Sequence, residues 1–190
     1  MSDDVLSRLR AATSPAHERL ERRIGIFDAI VEPHGRAQLA RRFFDFHASA
    51  EAALAPRLSA LDGLEFERRR RSPHISDDLA RIGAPTSQAA VAPPPSPAST
   101  AEALGFLYVL EGSSLGGRVI RRQAERRGLS LEGLGFLDPY GPAAGEMWRR
   151  FLAVLSAHCV DAAAAADAAR GAVGGFAHAE ATLCSAELVA

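Results

Sequence analysis

Along most of this chain apolar residues return at every third or fourth position, the spacing of one face of an α-helix. From Asp3 to Arg23 the stripe is Val5, Leu6, Leu9, Ala12, Ala16 and Leu20, interrupted only by Pro15. Two readings of Pro15 stay open: Ser14 caps a new helix with Pro15 at its first position, or Pro15 kinks one longer helix. A second helix is expected from Gly35 to Leu61, where Leu39, Phe43, Phe46, Ala50, Ala53, Leu54 and Leu58 recur and Pro56 can bend the end. Ile75 to Ile82 reads as a short helix and Thr100 to about Arg127 as a long one with a glycine-rich centre. Residues 143–165 and 167–188 read as two Ala-rich helices.

Between these segments lie a charge run from Glu65 to Arg71, a Pro/Ser/Ala stretch over 83–99, and a turn-rich stretch from Gly128 to Pro142. No succession of alternating β-branched residues and no internal repeat is present. The pattern therefore predicts an all-α bundle forming a single domain over residues 1–190, with 83–99 as a surface loop.

Length adds that such a domain buries about 70% of its unfolded surface, enough to enclose a ligand cavity. No apolar run approaches the roughly 18 residues of a membrane span, so no membrane partner is expected. The opening MSDDVLSRLR is acidic and lacks an apolar core, which points to the cytoplasm. A net charge of −1 denies the chain the basic field of a nucleic-acid binder. Cys159 and Cys184 stand far apart with no CxxC, so free buried thiols are expected rather than a metal site.

Two segments can carry chemistry. In Thr13-Ser-Pro-Ala-His17-Glu-Arg-Leu-Glu21, His17 and Glu21 are four residues apart and share a helix face, where a carboxylate can orient an imidazole. Arg10 lies two turns earlier on that face, placed to meet an anionic ligand edge. Alone, the pair reads equally as a surface ion pair or a satisfied core histidine. The second segment is Gly105-Phe-Leu-Tyr-Val-Leu-Glu-Gly112-Ser-Ser-Leu-Gly116-Gly117-Arg-Val-Ile120. Each helical glycine costs roughly 1 kcal/mol against Ala, so Gly112, Gly116 and Gly117 ask for a reason: close approach of backbone to a flat ligand, or close helix packing. Gly112-Ser-Ser114-Leu-Gly116 also matches the nucleophile elbow G-x-S-x-G, with Asp138 and His158 or His178 following in serine-hydrolase order. That elbow needs a multi-stranded sheet, which this pattern does not supply.

Together the two segments resemble the heme oxygenases, most closely their bacterial biliverdin-producing members. Ala-His17-Glu-Arg-Leu-Glu21 is similar to the family's proximal helix, and Leu-Glu-Gly112-Ser-Ser-Leu-Gly116-Gly117-Arg-Val-Ile to its distal helix. The resemblance implies a heme oxygenase-like bundle holding heme between a proximal and a kinked distal helix. It makes His17 the sole axial iron ligand, with His34, His47, His74, His158 and His178 in no matching motif, and Glu21 its support. Gly112, Ser113, Gly116 and Gly117 form the distal catalytic side, and Arg10 and Arg149 contact the heme propionates, with Arg150 in reserve; without the resemblance Arg149 and Arg150 read as a solvated face. Heme b is then both cofactor and substrate, cleaved with dioxygen to biliverdin, carbon monoxide and ferrous iron. The partners implied are a ferredoxin, flavodoxin or other reductase donor and a biliverdin-accepting photoreceptor; Arg121, Arg122, Arg126 and Arg127 read either as a docking surface for that donor or, like Arg68 to Arg71, as an ordinary solvated basic patch. One departure stands out: better-known members carry an acidic residue after the first distal glycine, and here that position is Ser113. A hydroxyl holds a water but lacks a carboxylate's charge, so proton delivery must be organised differently. A non-catalytic heme carrier of the same fold is the alternative this departure favours.

Overall fold

The apolar stripe around Pro15 belongs to one helix: α1 (Ser2–Ile24) continues through the proline. Pro15 donates no backbone hydrogen bond, and the Thr13 hydroxyl close by donates to the Leu9 carbonyl at 2.7 Å. The computed structural model describes residues 2–86, 93–94 and 96–184, and among them it is helical with no strand. After α1 come α2 (Ile26–Ala29), α3 (Pro33–Leu58), α4 (Phe66–Arg69), α5 (Ser72–Arg81), α6 (Thr100–Arg126), α7 (Ala144–His158) and α8 (Ala162–Leu183). Two 3-10 turns, Gly135–Leu137 and Gly141–Ala143, connect α6 to α7. Within the expected 83–99 loop, residues 87–92 and 95 lie outside the described residues.

Two expectations need correction. The Ala-rich C-terminal half breaks after His158 rather than near residue 166, because the Asp161 side chain accepts a hydrogen bond from the Ala164 amide at 2.8 Å and starts α8 there. The charge run from Glu65 to Arg71 is not a solvated face throughout, since Arg69 and Arg71 are 3% and 2% exposed.

The long helices share one core, centred on Phe46, Leu54, Leu104, Phe106 and Phe151. α6 packs most extensively against α8, α1 also packs on α8, and α3 touches both α6 and α8 as well as α5. The α6–α8 approach is close enough that a Cβ at Gly105 would strike the Ala168 carbonyl, and one at Gly171 the Glu102 carbonyl. This contact fixes α6 as the floor against which α1 and α3 leave a cleft. No helix among the described residues is long and apolar enough to cross a membrane.

Candidate active site

The cleft between α1 and α6 holds a cavity of about 320 Å³, closed at its sides by α3, α7 and α8. Its walls are mainly apolar: Leu20, Ile24, Phe43, Phe46, Val109, Ile120, Leu137, Phe176 and Leu183. That is the form expected of a site for a large apolar ligand with few oriented polar groups. A second, shallower hollow of about 310 Å³ adjoins it at the α1–α2 junction and shares His17, Leu20, Ile24, Ile26 and Ile120.

Of the six histidines, His17 is the one that lines the cavity. Its side chain is 57% exposed, so it is no satisfied core histidine. The ring meets the edge of Phe176 with centroids 5.8 Å apart, and Nδ1 faces Glu21 Oε2 at 3.7 Å, an electrostatic contact rather than a direct hydrogen bond. Glu21 lines the outer hollow, not the inner cavity.

Across the cavity stand Gly112, Ser113, Leu115, Gly116 and Gly117. The three glycines divide by role. At Gly112 and Gly116 an added Cβ would meet nothing within 4 Å, so these positions present bare backbone to open space. At Gly117 it would strike the Leu137 carbonyl, so this glycine admits the Gly135–Leu137 turn against α6.

The polar groups gather at one edge. Arg10 and Tyr108 both line the cavity, with Thr13 and Arg10 beside the Tyr108 phenol. Burial raises the Tyr108 pKa and the Arg10 charge opposes that rise, so the phenol stays a neutral donor. Trp148 completes this wall, with its ring 6.0 Å from Tyr108. Arg149, the neighbour expected at the propionates, is exposed and does not line the cavity. Arg150 pairs instead with Glu65 and Glu146. Tyr108 and Trp148 escaped the sequence reading because each sits in an apolar helical stripe and looks like ordinary core.

Behind Ser113 lies a buried polar cluster that the sequence reading also missed. Arg71 donates to Ser113 Oγ at 2.9 Å and to Ser114 Oγ, and its guanidinium lies 5.5 Å from the centre of the Tyr140 ring. The Tyr140 hydroxyl donates to Glu111 at 2.8 Å, and Glu111 accepts from Arg69 at 2.9 Å. Burial, reinforced by the Glu111 charge, pushes the Tyr140 hydroxyl up to about 12. Glu51 accepts from the amides of Arg71 and Ser72 and from the Ser72 hydroxyl. Burial works to raise that carboxyl, but these bonds and His47 hold it at about 2. Ser114, the would-be nucleophile of the elbow motif, is 2% exposed beneath Arg71. The partners it would need are committed elsewhere: Asp138 faces Arg118, His178 bonds Ser49 and His158 faces the Val154 carbonyl. Both cysteines are free thiols, half-buried rather than buried.

The family model for heme oxygenase matches residues 3–183. A curated relative named heme oxygenase, from Xanthomonas campestris pv. campestris (strain 8004), is 44% identical over 145 residues, covering 75% of this chain and 84% of the relative. The chain belongs to the heme oxygenase family. Its fold also matches a solved structure of the NO- and CO-bound heme oxygenase from Neisseria meningitidis, with a TM-score of 0.78 over 97% of this chain and 94% of that one, at 24% identity. As a heme oxygenase the chain opens heme to biliverdin, carbon monoxide and ferrous iron with dioxygen and with electrons from a reductase donor. The apolar cavity of this heme oxygenase, with bare backbone on one wall and a cationic edge, fits a flat apolar macrocycle carrying carboxylates.

Proposed function

We propose that heme b, the substrate, lies in the α1–α6 cavity with His17 as its single axial iron ligand. The observation that carries this reading is the facing pair of walls: an accessible imidazole on α1, and on α6 two glycines with open space where a side chain would stand. Glu21 holds Nδ1 by its charge and leaves Nε2 for the iron. Arg10 and Tyr108 meet the propionates, the first by charge and the second as a hydroxyl donor. Phe43, Phe46, Phe176 and Leu183 keep water from the ring. Bound there, heme supplies both the redox-active iron and the ring that dioxygen opens. The bare backbone at Gly112 and Gly116 would let the ring lie close to α6 and would crowd a small ligand toward the ring edge.

For the donor we propose an acidic ferredoxin or flavodoxin docking on Arg121, Arg122, Arg126 and Arg127. All four are exposed at the C-terminal end of α6, and Arg127 lies 4.2 Å over Phe27, which lines the outer hollow.

Hemin titration tests the site. The wild type is expected to form a one-to-one complex with the Soret spectrum of a His-ligated heme, and to lose that spectrum for bilin absorption when dioxygen and a reductase/ferredoxin system are supplied. Identical ferric spectra from wild type and His17→Ala would sink the ligand assignment.

A further inference from the structure

Arg71 is a buried cation whose guanidinium, among the described residues, meets no carboxylate. It is 2% exposed, and among the described residues its guanidinium contacts are Ser113, Ser114 and the face of Tyr140. Its Nε is buried without a hydrogen-bond partner. The acidic groups nearby are engaged otherwise. Glu111 is turned to Arg69 and Tyr140, and Glu51 bonds the backbone amides of Arg71 and Ser72, the Ser72 hydroxyl and the Arg70 side chain, with His47 beside it. A guanidinium kept inside a protein without a direct counter-ion carries an unspent positive charge, and in a low-dielectric setting that charge reaches across several ångströms.

Its direction is toward the cavity. Ser113 lines the cavity and accepts from Arg71, while its own hydroxyl hydrogen goes to the Leu110 carbonyl at 2.7 Å. That hydrogen can swing from Leu110 toward the cavity with the Arg71 bond intact. The donor it then offers is strengthened by the cation behind it.

We propose that Arg71 is a positioning residue that acts through Ser113 to make the α6 wall of the cavity selective for a small ligand carrying negative charge. The inference rests on heme lying in this cavity; it adds a reason for a serine at this position, since hydroxyl and guanidinium together supply a polarised donor. Carbon monoxide, which takes up little charge on binding, gains little from such a donor and anionic ligands gain most.

The test compares anionic and neutral ligands on the hemin complexes of wild type, Arg71→Met, Arg71→Lys and Ser113→Ala. Arg71→Met and Ser113→Ala are expected to weaken azide and fluoride binding to the ferric complex about tenfold, the scale of one charge-assisted hydrogen bond. Carbon monoxide affinity of the ferrous form should change less than about twofold, because no charge is involved. The alkaline midpoint of the ferric spectrum should rise in Arg71→Met and stay near wild type in Arg71→Lys, which keeps the charge. Equal losses for azide and carbon monoxide, or no loss for azide, overturn the proposal. If Arg71→Met does not fold, unchanged azide binding in Ser113→Ala does so alone. Failure of the heme placement reads differently: His17→Ala would then leave the ferric spectrum unaltered.

Discussion

The main-chain carbonyl of Leu137 stands where a side chain at Gly117 would begin. Gly117→Ala must therefore push the Gly135–Leu137 turn away from α6, and a loss of about 1–3 kcal/mol is expected on the scale of core overpacking. Gly112 and Gly116 meet no such obstacle, and Ala at either should raise apoprotein stability by up to about 1 kcal/mol through helix propensity. A bulkier Gly116→Leu should weaken hemin binding at least about tenfold while the apoprotein melts no lower than wild type. Urea unfolding and hemin titration of the same variants separate the two kinds of glycine.

Arg10 and Arg149 should part company in binding. Arg10→Ala removes the cation at the polar edge of the cavity, and a loss of roughly tenfold in hemin affinity is expected from one charge-assisted contact. Arg149→Ala, on an exposed position away from the lining, should change it by less than about twofold. Equal losses would mean that α7 closes over the ligand on binding.

Arg69 and Glu111 form an ion pair with side chains 0% and 2% exposed. Glu111→Gln leaves the Arg69 guanidinium buried with neutral acceptors alone, and a loss of about 3–5 kcal/mol follows from stranding one member of a buried pair. Tyr140→Phe removes a single hydrogen bond to the same carboxylate and should cost about 1 kcal/mol. Denaturant midpoints order the two.

Acid should destabilise this protein before its carboxylates titrate. Burial lowers the pKa of His178, and burial likewise lowers that of His47 against the pull of Glu51. The unfolded chain takes up protons near 6.5 while the folded one resists. Stability is then full above pH 6.5 and falls as pH drops from 6.5 toward the folded values. Glu51 contributes a second, lower window: its folded carboxyl sits at about 2 against 4.5, so its stabilisation is lost as pH falls from 4.5 toward 2. Melting temperature followed from pH 7.5 to 5 should decline, and His178→Asn should flatten that decline. An unchanged slope would assign the acid sensitivity elsewhere.

Several misreadings of the sequence share one physical cause. The charge run containing Arg69 and Arg71 looks like solvent-exposed chain because its burial depends on Glu111, Ser113, Ser114, Met147 and Tyr140, all more than 40 positions away. The break between α7 and α8 was misplaced because Asp161 and Asp167 are both plausible caps within an alanine run. In the structure Asp161 caps α8, while Asp167 instead accepts from Ser99 and Arg170. Pro15 could not be read either way, since a proline in a helix is tolerated or not according to what packs around it.

The all-helical architecture, the His17 segment and the glycine-rich centre of α6 were all legible in the chain, because helical periodicity and a short motif are local properties of neighbouring residues. Folding settled which arginine reaches the cavity, which glycines face it, and that a buried Arg71 stands behind Ser113. Those outcomes depend on burial and on contacts between helices distant in sequence, and each is a property of a pair of surfaces that exists only after the helices have packed.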